Sequence, residues 1–118
     1  MARKEHPEAV RDIKYYADAA VVTLAGEIDM VHSPSVHQAL VEVLESRPGR
    51  LIIDLTEVSY MDSSGVGILV DALRRMRTTG GKLGLVAVAP RVLSVLQITK
   101  LDQFFQMYPT LHEAMATP

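Results

Sequence analysis

The chain has 118 residues, which points to one core and one domain. Its formal net charge of −2 supplies no electrostatic drive toward nucleic acid or an anionic bilayer, so neither is expected as a direct partner. Cysteine is absent, which excludes disulfides, thiolate metal sites and cysteine nucleophiles.

Residues 1–11 are charged and carry Pro7, and read as a flexible N-terminal arm ahead of a domain over 12–118. They lack an apolar stretch of signal-peptide length, and no later run approaches a membrane span, so a cytoplasmic location is expected. Ile13–Tyr16 and Ala20–Ala25 are β-rich runs separated by three residues and predict an antiparallel hairpin. Ser33-Pro34 reads as an N-cap followed by proline at the first helical position. Val36, Leu40, Val43 and Leu44 then share a helical face, and Pro48-Gly49 ends the segment. Leu51–Leu55 is a compact apolar strand, covered on both faces. A helix over Ser63–Thr79 follows, with Val66, Leu69, Val70, Leu73 and Met76 inward and Gly80-Gly81 as its stop. Leu83–Val88 is the next strand. Pro90 opens a short helix carrying Val92, Leu93, Val95 and Leu96; Phe104–Tyr108 is the last strand and Thr110–Ala116 a terminal helix. Strands alternating with helices after a hairpin imply an α/β domain with a mixed, mostly parallel sheet and about four helices.

The segment with chemical content is Val58–Gly67, joining the central strand to the longest helix. Asp62, Ser63 and Ser64 all favour the first turn of a helix, where they satisfy free backbone N–H groups. Simple capping is one reading. The other starts from Gly65 and Gly67, each costing the helix about 1 kcal/mol relative to alanine. Glycine there leaves a bare surface for a partner or phosphoryl donor, and a helix start stabilises an anion such as a phosphate on serine.

Other candidates carry less. His6, His32, His37 and His112 lack metal-ligand spacing, and no metal or cofactor is expected. Asp54 reads as a buried carboxylate bonded to nearby N–H groups, and Arg74, Arg75 and Arg77 as cations favoured at a helix end. No Gly-x-Ser-x-Gly elbow surrounds Ser63 or Ser64, so no catalytic residue is assigned and enzyme activity is not expected. No glycine-rich loop followed by lysine supports nucleotide binding.

Gly26-Glu27-Ile28-Asp29, Leu51–Leu55, Asp62-Ser63-Ser64-Gly65-Val66-Gly67 and Gly80-Gly81 together resemble a STAS domain, that of the bacterial anti-sigma-factor antagonists. The resemblance implies phosphorylation of Ser63, with Ser64 the secondary candidate, by an anti-sigma factor that is also a serine kinase. It also implies a serine phosphatase that resets the protein. The partner surface it implies comprises Glu27, Asp29, Asp62, Ser63, Ser64, Gly65, Val66 and Gly67. Glu57 is expected to add to the acidic surroundings. The expected output is release of a sigma factor by partner switching; a non-switching STAS subunit of a cytoplasmic complex, such as a lipid-transport assembly, is the alternative.

Overall fold

Alternating side-chain direction along the strands decides how the layers stack. A computed structural model describes residues 9–117. The order is β1 (Val10–Tyr15), β2 (Ala19–Ile28), α1 (Ser33–Glu45), β3 (Arg50–Met61), α2 (Ser63–Thr78), β4 (Lys82–Val86), α3 (Pro90–Ile98), a 3-10 turn (Asp102–Phe104), β5 (Gln106–Tyr108) and α4 (Leu111–Ala116). The strands lie in the order β1-β2-β3-β4-β5, with β1 antiparallel to β2 and every later neighbour parallel. The expected mixed sheet and four helices are present.

Val22, Leu24, Leu51, Ile53, Leu83 and Leu85 face one side, where they pack with Leu40 and Val43 of α1, Leu69 and Met76 of α2, and Leu96 of α3. The intervening Val21, Ile52 and Val86 face the other side and meet Ala114 of α4. This two-residue alternation in strands covered on both faces makes the central run uniformly apolar.

Several boundaries differ from the sequence reading. The expected arm falls mostly on residues outside those described, but the sheet begins at Val10 rather than Ile13. Ala9 and Val10 are buried, and the Ala9 carbonyl accepts a hydrogen bond from Ala25 N–H at 2.9 Å. Ser33 is not the cap of α1. His32 holds that position without a side-chain capping bond, while Asp29 Oδ1 accepts from the N–H groups of Val31 and His32 at 3.1 and 3.0 Å. The central strand does not stop at Leu55 but runs to Met61, because its second half pairs with Ala25–Ile28 of β2. Strand β4 ends at Val86, where Ala87 enters the left-handed region at φ 58°. Phe105 fills the core instead of extending β5, which begins at Gln106. On α2 the buried stripe is Gly65, Ile68, Leu69, Ala72, Leu73 and Met76, leaving Val66 and Val70 half-buried. The rotation follows from the close approach of the helix start to β2 and β3 at Gly65.

Candidate functional site

The long pairing of β2 with β3 brings their C-terminal ends together, the end of a parallel sheet where sites ordinarily form. Ile28 lies beside Met61, and Asp62 N–H donates to the Ile28 carbonyl at 3.2 Å. Gly26-Glu27-Ile28-Asp29 and the start of α2 are thereby joined. Gly26 takes φ 75°, a conformation suited to glycine, next to a break in the strand register.

Asp62 is the N-cap of α2. Its backbone is extended, and Oδ1 accepts from the N–H groups of Ser64 and Gly65 at 2.9 and 3.4 Å. The same oxygen accepts the Ser64 hydroxyl at 2.5 Å. That hydroxyl, together with the two N–H groups, holds the Asp62 carboxyl below the usual carboxylate range against some desolvation and the nearby charge of Asp29. Asp29 is likewise lowered, first by the His32 backbone N–H and then by the His32 ring at 2.8 Å. Both carboxylates are therefore ionised at neutral pH, so any added anion meets two negative charges.

The two serines differ. Ser64 is half-buried and its hydroxyl is committed to Asp62, whereas Ser63 is exposed and its hydroxyl has no partner among the described residues. Glycines 65 and 67 differ too. A Cβ at Gly65 would overlap Met61 Cγ and come within 3.0 Å of the Ile28 carbonyl oxygen, while a Cβ at Gly67 would meet nothing within 4 Å. The bare surface expected of both belongs to Gly67 alone; Gly65 is buried and serves internal packing.

Glu27 is exposed beside Tyr60 near the end of β2, and Val66 is half-buried on the outer side of α2. Glu57 sits opposite Ala25 in the β2–β3 pairing, and its carboxylate is partnered by Arg11 at 2.9 Å.

Between the start of α2 and α3 runs an open groove of about 330 Å³ walled by Tyr60, Met61, Val66, Val92 and Val95. Asp62, Ser63 and Arg91 provide its polar lining. Sequence pattern does not single out this second wall, because Val92, Leu93, Val95 and Leu96 are apolar alike; Val92 and Leu96 are buried, whereas Val95 is 41% exposed. Met30 and Val31, directly after Asp29, are also missed and are 77% and 79% exposed. Two adjacent apolar residues in a polar loop are the signal that would have found them.

The remaining candidates have local partners. Asp54 accepts from Thr56 N–H at 3.0 Å and from the Thr56 hydroxyl. His37 and Arg75 reach Asp71 at 2.9 and 2.8 Å, and Arg77 stacks over the Phe104 ring at 4.4 Å. His32 and His37 thus hold different carboxylates. No helix among the described residues is long and apolar enough to cross a membrane.

Residues 11–114 match the STAS domain family. An anti-sigma-B factor antagonist of Listeria monocytogenes is 39% identical over 87 residues, covering 73% of this chain and 75% of its own. The anti-sigma-B factor antagonist of Bacillus subtilis is 36% identical over 96 residues, 81% of this chain and 87% of its own. A solved anti-sigma factor antagonist from Mycobacterium paratuberculosis superposes with a TM-score of 0.79 at 33% identity, covering 93% of this chain and 94% of that one.

Proposed function

The chain belongs to the STAS domain family, alongside anti-sigma factor antagonists, and we propose that it works by partner switching with Ser63 as its phosphorylation site. Unmodified protein binds an anti-sigma factor that is also a serine kinase, and a sigma factor is released. The kinase then joins Ser63 Oγ to the γ-phosphorus of a nucleoside triphosphate; the hydroxyl proton passes to a base and the diphosphate leaves. Among the described residues no carboxylate bonds the Ser63 hydroxyl, since Asp62 is engaged with Ser64 and Gly65, so we assign that base to the kinase. A serine phosphatase hydrolyses the phosphate and resets the cycle, in a cytoplasmic setting.

The observation that carries the reading is the contrast between an exposed, unbonded Ser63 and a Ser64 tied to Asp62. Around Ser63, the exposed Glu27 and Gly67, the half-buried Val66 and the Asp29–Asp62 pair supply the surface for a partner. A phosphate adds about −1.5 to −2 charge at neutral pH beside two ionised carboxylates. Under a docked partner that charge must be desolvated, and every 1.4 kcal/mol costs about tenfold in affinity.

Calorimetric titration of the cognate anti-sigma kinase with Ser63→Ala and Ser63→Asp tests the reading. The Ala variant should bind like unmodified protein and refuse phosphate, and the Asp variant should lose tenfold or more. Equal binding by the two variants, or phosphate mapped by mass spectrometry to another residue, would overturn it. Absence of phosphate under all growth conditions would favour a non-switching subunit.

A further inference from the structure

The groove beside Ser63 contains a cation whose position has no local explanation. Arg91 follows Pro90 in the first turn of α3, where the positive end of the helix dipole disfavours a basic side chain. It is exposed and makes no ion pair among the described residues, unlike Arg11, Arg74 and Arg75. Of the groove's lining residues it alone is positively charged, and Ser63 lines the same groove. The other charged and titratable side chains around Ser63 are Asp62 at the head of its own helix, Asp29 in the β2–α1 loop with the His32 ring bonded to it, and Glu27 near the end of β2.

We propose that Arg91 is the positioning residue for phosphoserine 63, drawing the phosphate across the groove between α2 and α3 and so closing the apolar surface of Val66, Val92 and Val95. The inference rests on the reading that Ser63 is the modified residue. A phosphate on Ser63 shares the groove with Asp62, which repels it, and with Arg91, the one cation in the lining, which attracts it, so it turns toward Arg91 and away from Asp62. Guanidinium suits this role because it presents several N–H donors to phosphate oxygens. Phosphorylation then does more than add charge: it places a hydrated ion pair over apolar walls open in the unmodified protein.

The experiment uses the full chain with phosphoserine incorporated at position 63 during translation, so that no kinase is needed. Phosphorus NMR titration reads the second ionisation of the phosphate in the parent and in Arg91→Ala and Arg91→Lys. The Ala variant should raise that pKa by about half a unit, the scale of an exposed ion pair. The Lys variant should recover most of the shift, and high salt should shrink the difference. Methyl spectra should show Val92 and Val95 moving on phosphorylation in the parent but not in the Ala variant. Superimposable titrations of parent and Arg91→Ala, or valine shifts that persist without Arg91, would overturn the proposal. A native kinase that ignores Ser63 would instead defeat the functional reading, leaving the NMR result standing.

Discussion

Gly65 and Gly67 lie two residues apart on α2, yet replacing each with alanine should shift stability in opposite directions. At Gly67 a Cβ enters open space, so alanine contributes its helix preference, about 1 kcal/mol at most. At Gly65 the same gain is outweighed. The new Cβ overlaps Met61 Cγ and stands 3.0 Å from both the Ile28 carbonyl oxygen and Ile28 Cγ2. Met61 can rotate aside; the Ile28 carbonyl cannot, because it accepts from Asp62 N–H and belongs to a paired strand. An overlap this close with a fixed carbonyl beside it falls in the upper part of the usual overpacking range, about 2–3 kcal/mol, leaving a net loss of about 1–2 kcal/mol. An unfolding entropy of about 2.1 cal/mol/K per residue makes 1 kcal/mol equivalent to about 4 °C for a chain of 118 residues. Gly65→Ala should therefore melt about 4–8 °C below the parent and Gly67→Ala up to about 4 °C above it, measured by circular dichroism with urea slopes as the two-state check. A Gly65→Ala protein as stable as the parent would refute the close-packing account of this glycine.

Two further outcomes follow from the hydrogen bonds. Burial favours protonated Asp71, but bonds from Arg75 and His37 outweigh it and lower its pKa. The stability this gives is fully present above the unfolded value near 4 and is lost as pH falls through the folded one. Asp71→Asn should thus destabilise the protein at neutral pH, and the difference should narrow below about pH 4 in urea titrations; a constant difference across that range would argue against the linkage. Ser64→Ala should lower Tm, since it removes the hydroxyl bonded to the α2 cap, whereas Ser63→Ala should leave it unchanged. Equal melting of the two variants would show that the Ser64–Asp62 bond contributes nothing to stability.

Much of the architecture was readable because the determining interactions are local. The Pro90 and Gly80-Gly81 boundaries, the apolar Leu51–Leu55 run and the alternation of strands with helices follow from backbone chemistry and side-chain period. The capping role of Asp62 was equally local, since it involves residues two and three positions on. What failed depended on partners distant in sequence. Residues 56–61 read as a connection in the sequence because nothing in them announces pairing with Ala25–Ile28. Gly65 and Gly67 look alike in sequence, and only the approach of Ile28 and Met61 separates them.

By itself, then, the sequence determined the α/β class, the helix that begins at Ser63, and the Asp-Ser-Ser segment as the place where chemistry concentrates. Tertiary structure decided which part of the α2 start stays open, by packing Gly65 against Ile28 and Met61 while Ser63, beside a Ser64 bonded locally to Asp62, is left exposed. It also brought Asp29 beside Asp62 and Arg91 into the same groove as Ser63. These last meetings join residues far apart along the chain, and charge and space between such residues are set only when the sheet closes.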